Sequence, residues 1–221
     1  MKHLFYCIFL LLFFSGCDNK IDFKTPEIKI LNQATDIFKQ SFINNEILEE
    51  KINITRKRID NTSKRVLFFE KSSGFTGILE LFPGPNLEET WFSSDGITVS
   101  LFNGELIATR GMGNDVMNTI IPRTKSYNER VNSPYLKTIN FLTSENKIQN
   151  VSLNCVMTQS DGTKSIEIFE RNYDVSKYVE ICRNDKYSIE NLLWQDLEGN
   201  TLKSVQWHSK THGYISFIRL N

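Results

Sequence analysis

Glu89-Thr90-Trp91-Phe92-Ser93-Ser94-Asp95-Gly96-Ile97-Thr98-Val99-Ser100-Leu101-Phe102-Asn103-Gly104-Glu105-Leu106-Ile107-Ala108-Thr109-Arg110 decides the fold class. Aromatic and β-branched residues, which fit a pleated surface, recur along it. Two turn signals divide it. Ser94-Asp95-Gly96 separates Thr90-Trp91-Phe92 from residues 97–102, and Asn103-Gly104 separates those from residues 105–110. An Asn-Gly pair suits a type I′ turn, because both central residues need positive φ and that twist matches the flanking strands. The segment 89–110 therefore reads as an antiparallel meander.

Similar signals extend in both directions. Upstream, 66–70 and 77–82 are strands that turn at Ser72-Ser73-Gly74, and Pro83-Gly84-Pro85-Asn86 is a loop. Downstream, 114–121 reads as a short helical turn and 122–134 as polar loop. A second β group follows at 151–158, 165–171 and 178–182, with a turn at Asp161-Gly162. A third group takes 192–196, 202–208 and 214–220, with a turn at Glu198-Gly199-Asn200. Trp91 before Ser-Asp-Gly and Trp194 before Glu-Gly-Asn echo one another, which suggests two repeats or two β subdomains. Near the N-terminus, Thr25-Pro26-Glu27 is a helix start: an N-cap, a proline at the first helical position, and an acid at the positive dipole end. Ile30, Ala34, Phe38 and Phe42, with Leu31 and Ile37 beside them, form an apolar stripe suited to covering a sheet, and the helix ends near Asn44-Asn45. The expected fold is mainly β, with antiparallel meander or barrel-like sheets and one N-terminal amphipathic helix.

The first residues carry a different signal. After Lys2, residues 4–14 are unbroken apolar. A membrane-spanning helix needs about 20 such residues, whereas the apolar region of a signal peptide needs roughly 7–15. Phe14-Ser15-Gly16-Cys17 resembles a bacterial lipobox, with Phe14 where leucine is usual. Residues 1–16 then read as a signal peptide, Cys17 as the lipidated residue, 17–25 as a polar tether, and 26–221 as a β-rich periplasmic domain. Each buried acyl CH₂ contributes about 0.8 kcal/mol, so the several chains of a lipoprotein make a permanent anchor in the membrane. Asp18 favours the inner membrane by enterobacterial rules, and the choice between inner and outer membrane stays open.

Formal charge is balanced, 26 basic against 26 acidic residues, without the basic excess of a nucleic-acid binder. The densest basic run, Thr55-Arg56-Lys57-Arg58, reads as a solvated loop or strand edge, or as a contact for anionic headgroups near the anchor. Of four cysteines, Cys7 leaves with the signal and Cys17 takes lipid, so Cys155 and Cys182 are expected to form a disulfide in an oxidising compartment. A redox or metal role lacks both a CxxC motif and a second Cys/His pair.

Catalytic constellations are weak. There is no Gly-x-Ser-x-Gly elbow. His208 and His212 are four apart, the spacing of two ligands on a helix, but they flank a predicted turn and read as surface or loop histidines; no metal or cofactor is expected. Glu88, Glu89, Asp95, Asp115, Glu167 and Asp196 are acids of the type that hydrolyse glycosides in pairs, although Asp95 and Asp196 suit turns. Gly111-Met112-Gly113 is too short for a dinucleotide fingerprint. Trp91, Trp194 and Trp207 lie on predicted strands near Phe92, Tyr178 and Tyr214; they either fill a core or offer ring faces to sugars. Arg110 either completes a turn or pairs with an acidic sugar.

Taken in order, several of these segments resemble the group 4 capsule polysaccharide lipoproteins (YjbF/GfcB-like). The resemblance runs through Trp91-Phe92-Ser93-Ser94-Asp95-Gly96, then Asn103 to Gly113, then Leu193-Trp194-Gln195-Asp196-Leu197-Glu198-Gly199, and Val205-Gln206-Trp207. Glu105 and Ala108 stand where the family often has arginine. The resemblance implies an all-β body with a small helical portion. It also implies a role in making or exporting a surface polysaccharide. With no convincing catalytic constellation beside it, the leading reading is a non-catalytic, membrane-anchored lipoprotein that assists capsule or exopolysaccharide assembly or export, through the polysaccharide itself or through export proteins. The competing readings are a glycosidase-like polysaccharide-modifying enzyme and a structural envelope lipoprotein.

Overall fold

The computed structural model describes residues 56–61, 65–83, 88–124, 126–143, 145 and 147–221. The signal peptide, Cys17, the tether and the amphipathic helix read from residues 26–45 lie outside the described residues. The basic run continues into a short helix, α1 (Arg56–Asp60), in which Arg56 pairs with Asp60 and Ile59 packs into the core. It is thus neither loop nor strand edge.

The meander forms β3 (Glu88–Phe92), β4 (Thr98–Phe102) and β5 (Glu105–Arg110). Asn103 and Gly104 sit at φ 49° and 81°, the pair of positive values that the type I′ turn requires. β1 (Val66–Lys71) and β2 (Thr76–Pro83) precede it. The remaining strands are β6 (Val116–Ile120), β7 (Tyr135–Leu142), β8 (Ile148–Gln159), β9 (Lys164–Ile168), β10 (Arg171–Arg183), β11 (Ser188–Asp196), β12 (Thr201–Ser209) and β13 (Gly213–Arg219).

All these strands join one antiparallel sheet in the order β5-β4-β3-β2-β1-β13-β12-β11-β10-β8-β7-β6, with β9 beside β10. The sequence halves suggested by the two tryptophan–turn motifs are therefore tied together, with β1 hydrogen-bonded to β13 from Leu67↔Arg219 to Lys71↔Ile215. The two ends of the order, β5 and β6, lie side by side. Arg110 laces them: its Nη1 donates to the Val116 carbonyl at 2.9 Å and its Nη2 to the Met117 carbonyl at 3.3 Å. The sheet thus curls into a nearly closed barrel, which covers the β5 and β6 edges that would otherwise recruit other chains, while β9 stands off this path beside β10.

Two segments differ from the sequence reading. Residues 116–120 form β6 rather than a helical turn: Val116 and Thr119 are buried against β7, and a register shift between Val116 and Asn118 obscures the alternation. β7 carries no clean strand signal because a lysine, Lys137, occupies one of its inward positions beside Ile139 and Phe141. Pro122–Pro134 is mostly loop, as read, but it contains a 3₁₀ turn (Tyr127–Arg130) with a Ser126/Glu129 capping box.

The interior is packed by Phe69, Leu79, Trp91, Val99, Leu101, Leu153 and Phe217. Cys155 and Cys182 face each other across β8 and β10 and are bridged. Closing a loop of 27 residues stabilises by about 3.5 kcal/mol on the chain-entropy model. The barrel has two distinct ends. At one, the 3₁₀ turn and the β4–β5 turn meet β12: Tyr127 and Thr201 hydroxyls both bond the Asn103 carbonyl. At the other, the β1–β2, β5–β6, β7–β8 and β12–β13 turns interlock. Ser72 Oγ bonds the His212 carbonyl at 2.6 Å, Lys71 Nζ the Met112 carbonyl at 3.0 Å, and the Leu142 amide the Asp115 carbonyl at 3.0 Å.

Candidate functional site

The end of the barrel at which the 3₁₀ turn packs against β12, called the plug below, holds a buried ionic network. Arg130, from the 3₁₀ turn, forks onto Glu105 at the start of β5. Lys137 of β7 bonds Glu180 of β10 at 2.8 Å and reaches Glu105 at 4.0 Å. Glu180 also accepts from Tyr135 and from Asn191 Nδ2. Two cations meet two anions, so the cluster is neutral as a whole. Burial pushes the Glu105 carboxyl up, with Arg130 opposing and Glu180 adding to the rise. Burial would also raise Glu180, but Lys137, Tyr135 and Asn191 outweigh it and hold that carboxyl below its usual range. Tyr127 and Tyr135 stack against the Arg130 guanidinium, 5.4 and 5.1 Å from ring centre to charge. Glu105, Arg130, Lys137 and Glu180 are all buried, so their ion pairs brace this end of the barrel.

At the other end, Thr109 organises a second cluster. Its hydroxyl donates to Asp115 Oδ1 at 2.9 Å and accepts from the Val116 amide at 3.0 Å. With its one proton committed, the hydroxyl must accept from His208 Nε2 at 3.1 Å, so that nitrogen carries the ring proton. His208 Nδ1 is then free to accept from the Ser209 hydroxyl at 3.3 Å, and Ser209 Oγ accepts from the His212 amide at 3.1 Å. Burial first, then the neighbouring His212 and Lys71, lower the His208 pKa to about 4. His208 is thus a neutral, buried strand residue and not a loop histidine. Its ring lies 5.6 Å from that of His212. Both nitrogens of His208 are engaged in the fold, and Asp115 also caps the amides of Gly111 and Met112.

Beside this cluster, the turns enclose a cleft of about 70 Å³, room for several waters. Its floor is aromatic: Trp207 packs against Phe141 at 5.7 Å and against Tyr187 at 5.5 Å. Its rim is polar, with Asn114, Thr143, Gln149, Lys210 and Thr211. The cleft combines an apolar floor with polar groups around it but is well below the roughly 300–1,000 Å³ of a pocket for a whole small molecule. A smaller cavity of about 10 Å³ lies inside the barrel between Lys137, Asn191, Gln206 and Trp207.

The residues singled out from the sequence separate clearly. Trp91 is fully enclosed under the Arg219 guanidinium, and Trp194 lies between Lys177 and Lys203 on the neighbouring strands at 2% exposure. Neither offers a ring face to solvent. Arg110, itself exposed, laces the barrel seam, and Trp207 lines the cleft. The six acids have different local settings: Glu88 pairs with Arg123, Glu89 with Arg65 and Arg219, Asp95 and Asp196 hold turns, Asp115 caps the β5–β6 turn, and Glu167 lies on β9. Sequence reasoning missed Glu105, Arg130, Lys137 and Glu180. The one available signal was a lysine within an alternating apolar strand, Tyr135–Leu142.

Among solved structures, the hypothetical lipoprotein YmcC from Escherichia coli K12 superimposes with a TM-score of 0.65 at 16% identity, covering 84% of this chain and 94% of that one. An exported protein with a YmcC-like fold from Bacteroides fragilis matches with a TM-score of 0.34 at 11% identity, covering 72% of this chain and 93% of that one. A search of curated proteins finds no match. The model of the group 4 capsule polysaccharide lipoprotein family, gfcB/YjbF, matches residues 31–220, nearly the whole chain after the apolar leader. The match spans more than half of the chain, and this chain belongs to the YjbF family of group 4 capsule polysaccharide lipoproteins.

Proposed function

We propose that the protein is a non-catalytic lipoprotein, anchored through Cys17 and facing the periplasm, that assists assembly or export of a surface polysaccharide. The observation that carries this reading is the family match across residues 31–220, in a chain that carries a lipobox-like Phe14-Ser15-Gly16-Cys17 ahead of it. The site geometry supports the same reading. The buried acids Glu105 and Glu180 are held in ion pairs, and both nitrogens of His208 serve the fold. The Trp207 cleft offers an aromatic floor on which one edge of a sugar ring can rest, with Gln149 and Thr211 within its rim.

The test is surface and secreted polysaccharide in a strain lacking the gene, complemented by wild type or by Cys17→Ala. Output should fall on deletion, and only the lipidated form should restore it. Unchanged output and chain length under producing conditions would refute the role in assembly or export and leave a structural envelope protein. Recovery by Cys17→Ala would remove the anchor from the mechanism.

A further inference from the structure

The outer surface of the barrel is not uniform. On β6, β7 and β8 the outward positions are the even-numbered residues from 118 to 120, 136 to 142 and 148 to 158, and none of them is charged. In a chain with 24% charged residues, an exposed sheet face of that extent without one is a departure from an ordinary solvated surface. Charge resumes at its borders, on β10 at Lys177 and Arg183 and across the β5–β6 seam at Arg110.

Across this face runs a hydrogen-bonded line of side chains. Asn140 Nδ2 donates to Asn118 Oδ1 at 2.7 Å, and Asn150 Nδ2 donates to Asn140 Oδ1 at 2.8 Å. Ser152 Oγ donates to Asn150 Oδ1 at 3.2 Å, and Thr138 and Ser152 share a bond of 3.2 Å. The line holds each amide in one orientation. Every amide NH₂ has two protons and every carbonyl oxygen two lone pairs, so Asn118, Asn140 and Asn150 each keep donor or acceptor capacity beyond the line. Ile120, Leu136 and Ile148 border it, each more than half exposed.

The geometry points to this face as a binding surface for an uncharged stretch of polysaccharide, an inference that rests on the polysaccharide role proposed above. A sugar hydroxyl both donates and accepts, and an amide offers both in one plane. The exposed aliphatic groups meet the C–H faces of the rings. Neighbouring strands stand about 4.8 Å apart, a spacing similar to one sugar unit, so adjacent rungs can meet adjacent rings. Fixed amides lose little freedom on binding, which favours a ligand made of repeated weak contacts. The absence of charge selects a neutral polymer over an acidic one, whose desolvated carboxylates would find no cation here.

The experiment uses the full-length lipoprotein in detergent micelles and surface polysaccharide purified from the parent strain, with dextran as a neutral and polygalacturonate as an acidic comparison. Wild type should bind the purified polysaccharide with little dependence on salt, because no ion pairs form. The double variant Asn140→Ala/Asn150→Ala and the single variant Ser152→Arg should each weaken binding at least tenfold, with thermal midpoints near wild type since these side chains are surface groups. Equal binding by both variants overturns the inference, as does binding abolished by salt or a preference for polygalacturonate. Absence of binding by wild type also overturns it. The deletion phenotype is read separately, so loss of polysaccharide output with no binding here would leave the assembly role standing without this face.

Discussion

Arg130→Met tests whether the plug is held by its buried ion pair. The Arg130 and Glu105 side chains are 4% and 2% exposed, so water does not replace the lost partner. After the substitution Glu105 keeps only Lys137 at 4.0 Å, and Lys137 is already committed to Glu180 at 2.8 Å. Breaking one member of a buried pair costs about 3–5 kcal/mol, because an uncompensated charge remains. Glu105→Met should cost a similar amount by stranding the guanidinium. Replacing both by Met removes both charges, and the double variant should return to within about 1 kcal/mol of wild type. Urea unfolding followed by tryptophan fluorescence would read this. With a urea slope of about 2 kcal/mol per molar, each single variant should lose roughly 2 M of midpoint. A loss below about 1 kcal/mol for Arg130→Met, or a double variant that simply sums the singles, would refute the latch.

Three further outcomes are expected. His208 has its pKa lowered to about 4 in the fold, so the unfolded chain takes up that proton first as pH falls. Its contribution is fully present above pH ~6.5 and lost on the way down to pH ~4, about 3 kcal/mol in all; chemical denaturation across that range should show the loss in wild type and a flatter profile in His208→Gln. Gly104→Ala puts a Cβ 2.3 Å from Thr201 Cβ at a positive φ of 81°, and should lower stability by about 2 kcal/mol or more in thermal unfolding. Cys155→Ala/Cys182→Ala should lower stability by about 2–4 kcal/mol, and a reductant should then have no further effect on the unfolding midpoint.

The β-hairpins were legible because their signals are local. Asn103-Gly104 needs no distant partner to demand positive φ, and Glu105–Arg110 begins and ends where the sequence reading placed it. Cys155 and Cys182 were paired by elimination, since no other cysteine remains after the leader and lipid site are set aside. The family likeness was carried by short motifs in order along the chain, and the match over residues 31–220 bears it out. The candidate site was only partly legible. Trp91, Trp194 and Trp207 look alike as strand tryptophans, yet only Trp207 reaches the cleft. Arg110 carried no sequence sign that it laces the seam between β5 and β6, because its partners are carbonyls of a strand it meets only in the fold.

The sequence by itself determined most of the strands other than β6 and β7, where most turns fall, which cysteines pair and which family the chain resembles. Those features depend on residues close together in the chain, or on counting. Only the tertiary structure decided that β1 meets β13, that β5 meets β6, and that Glu105, Arg130, Lys137 and Glu180 converge inside one end. Strand alternation says which residues share a face but not which strand lies opposite. A buried lysine and a surface lysine read alike until the sheet curls and brings a carboxylate to one of them.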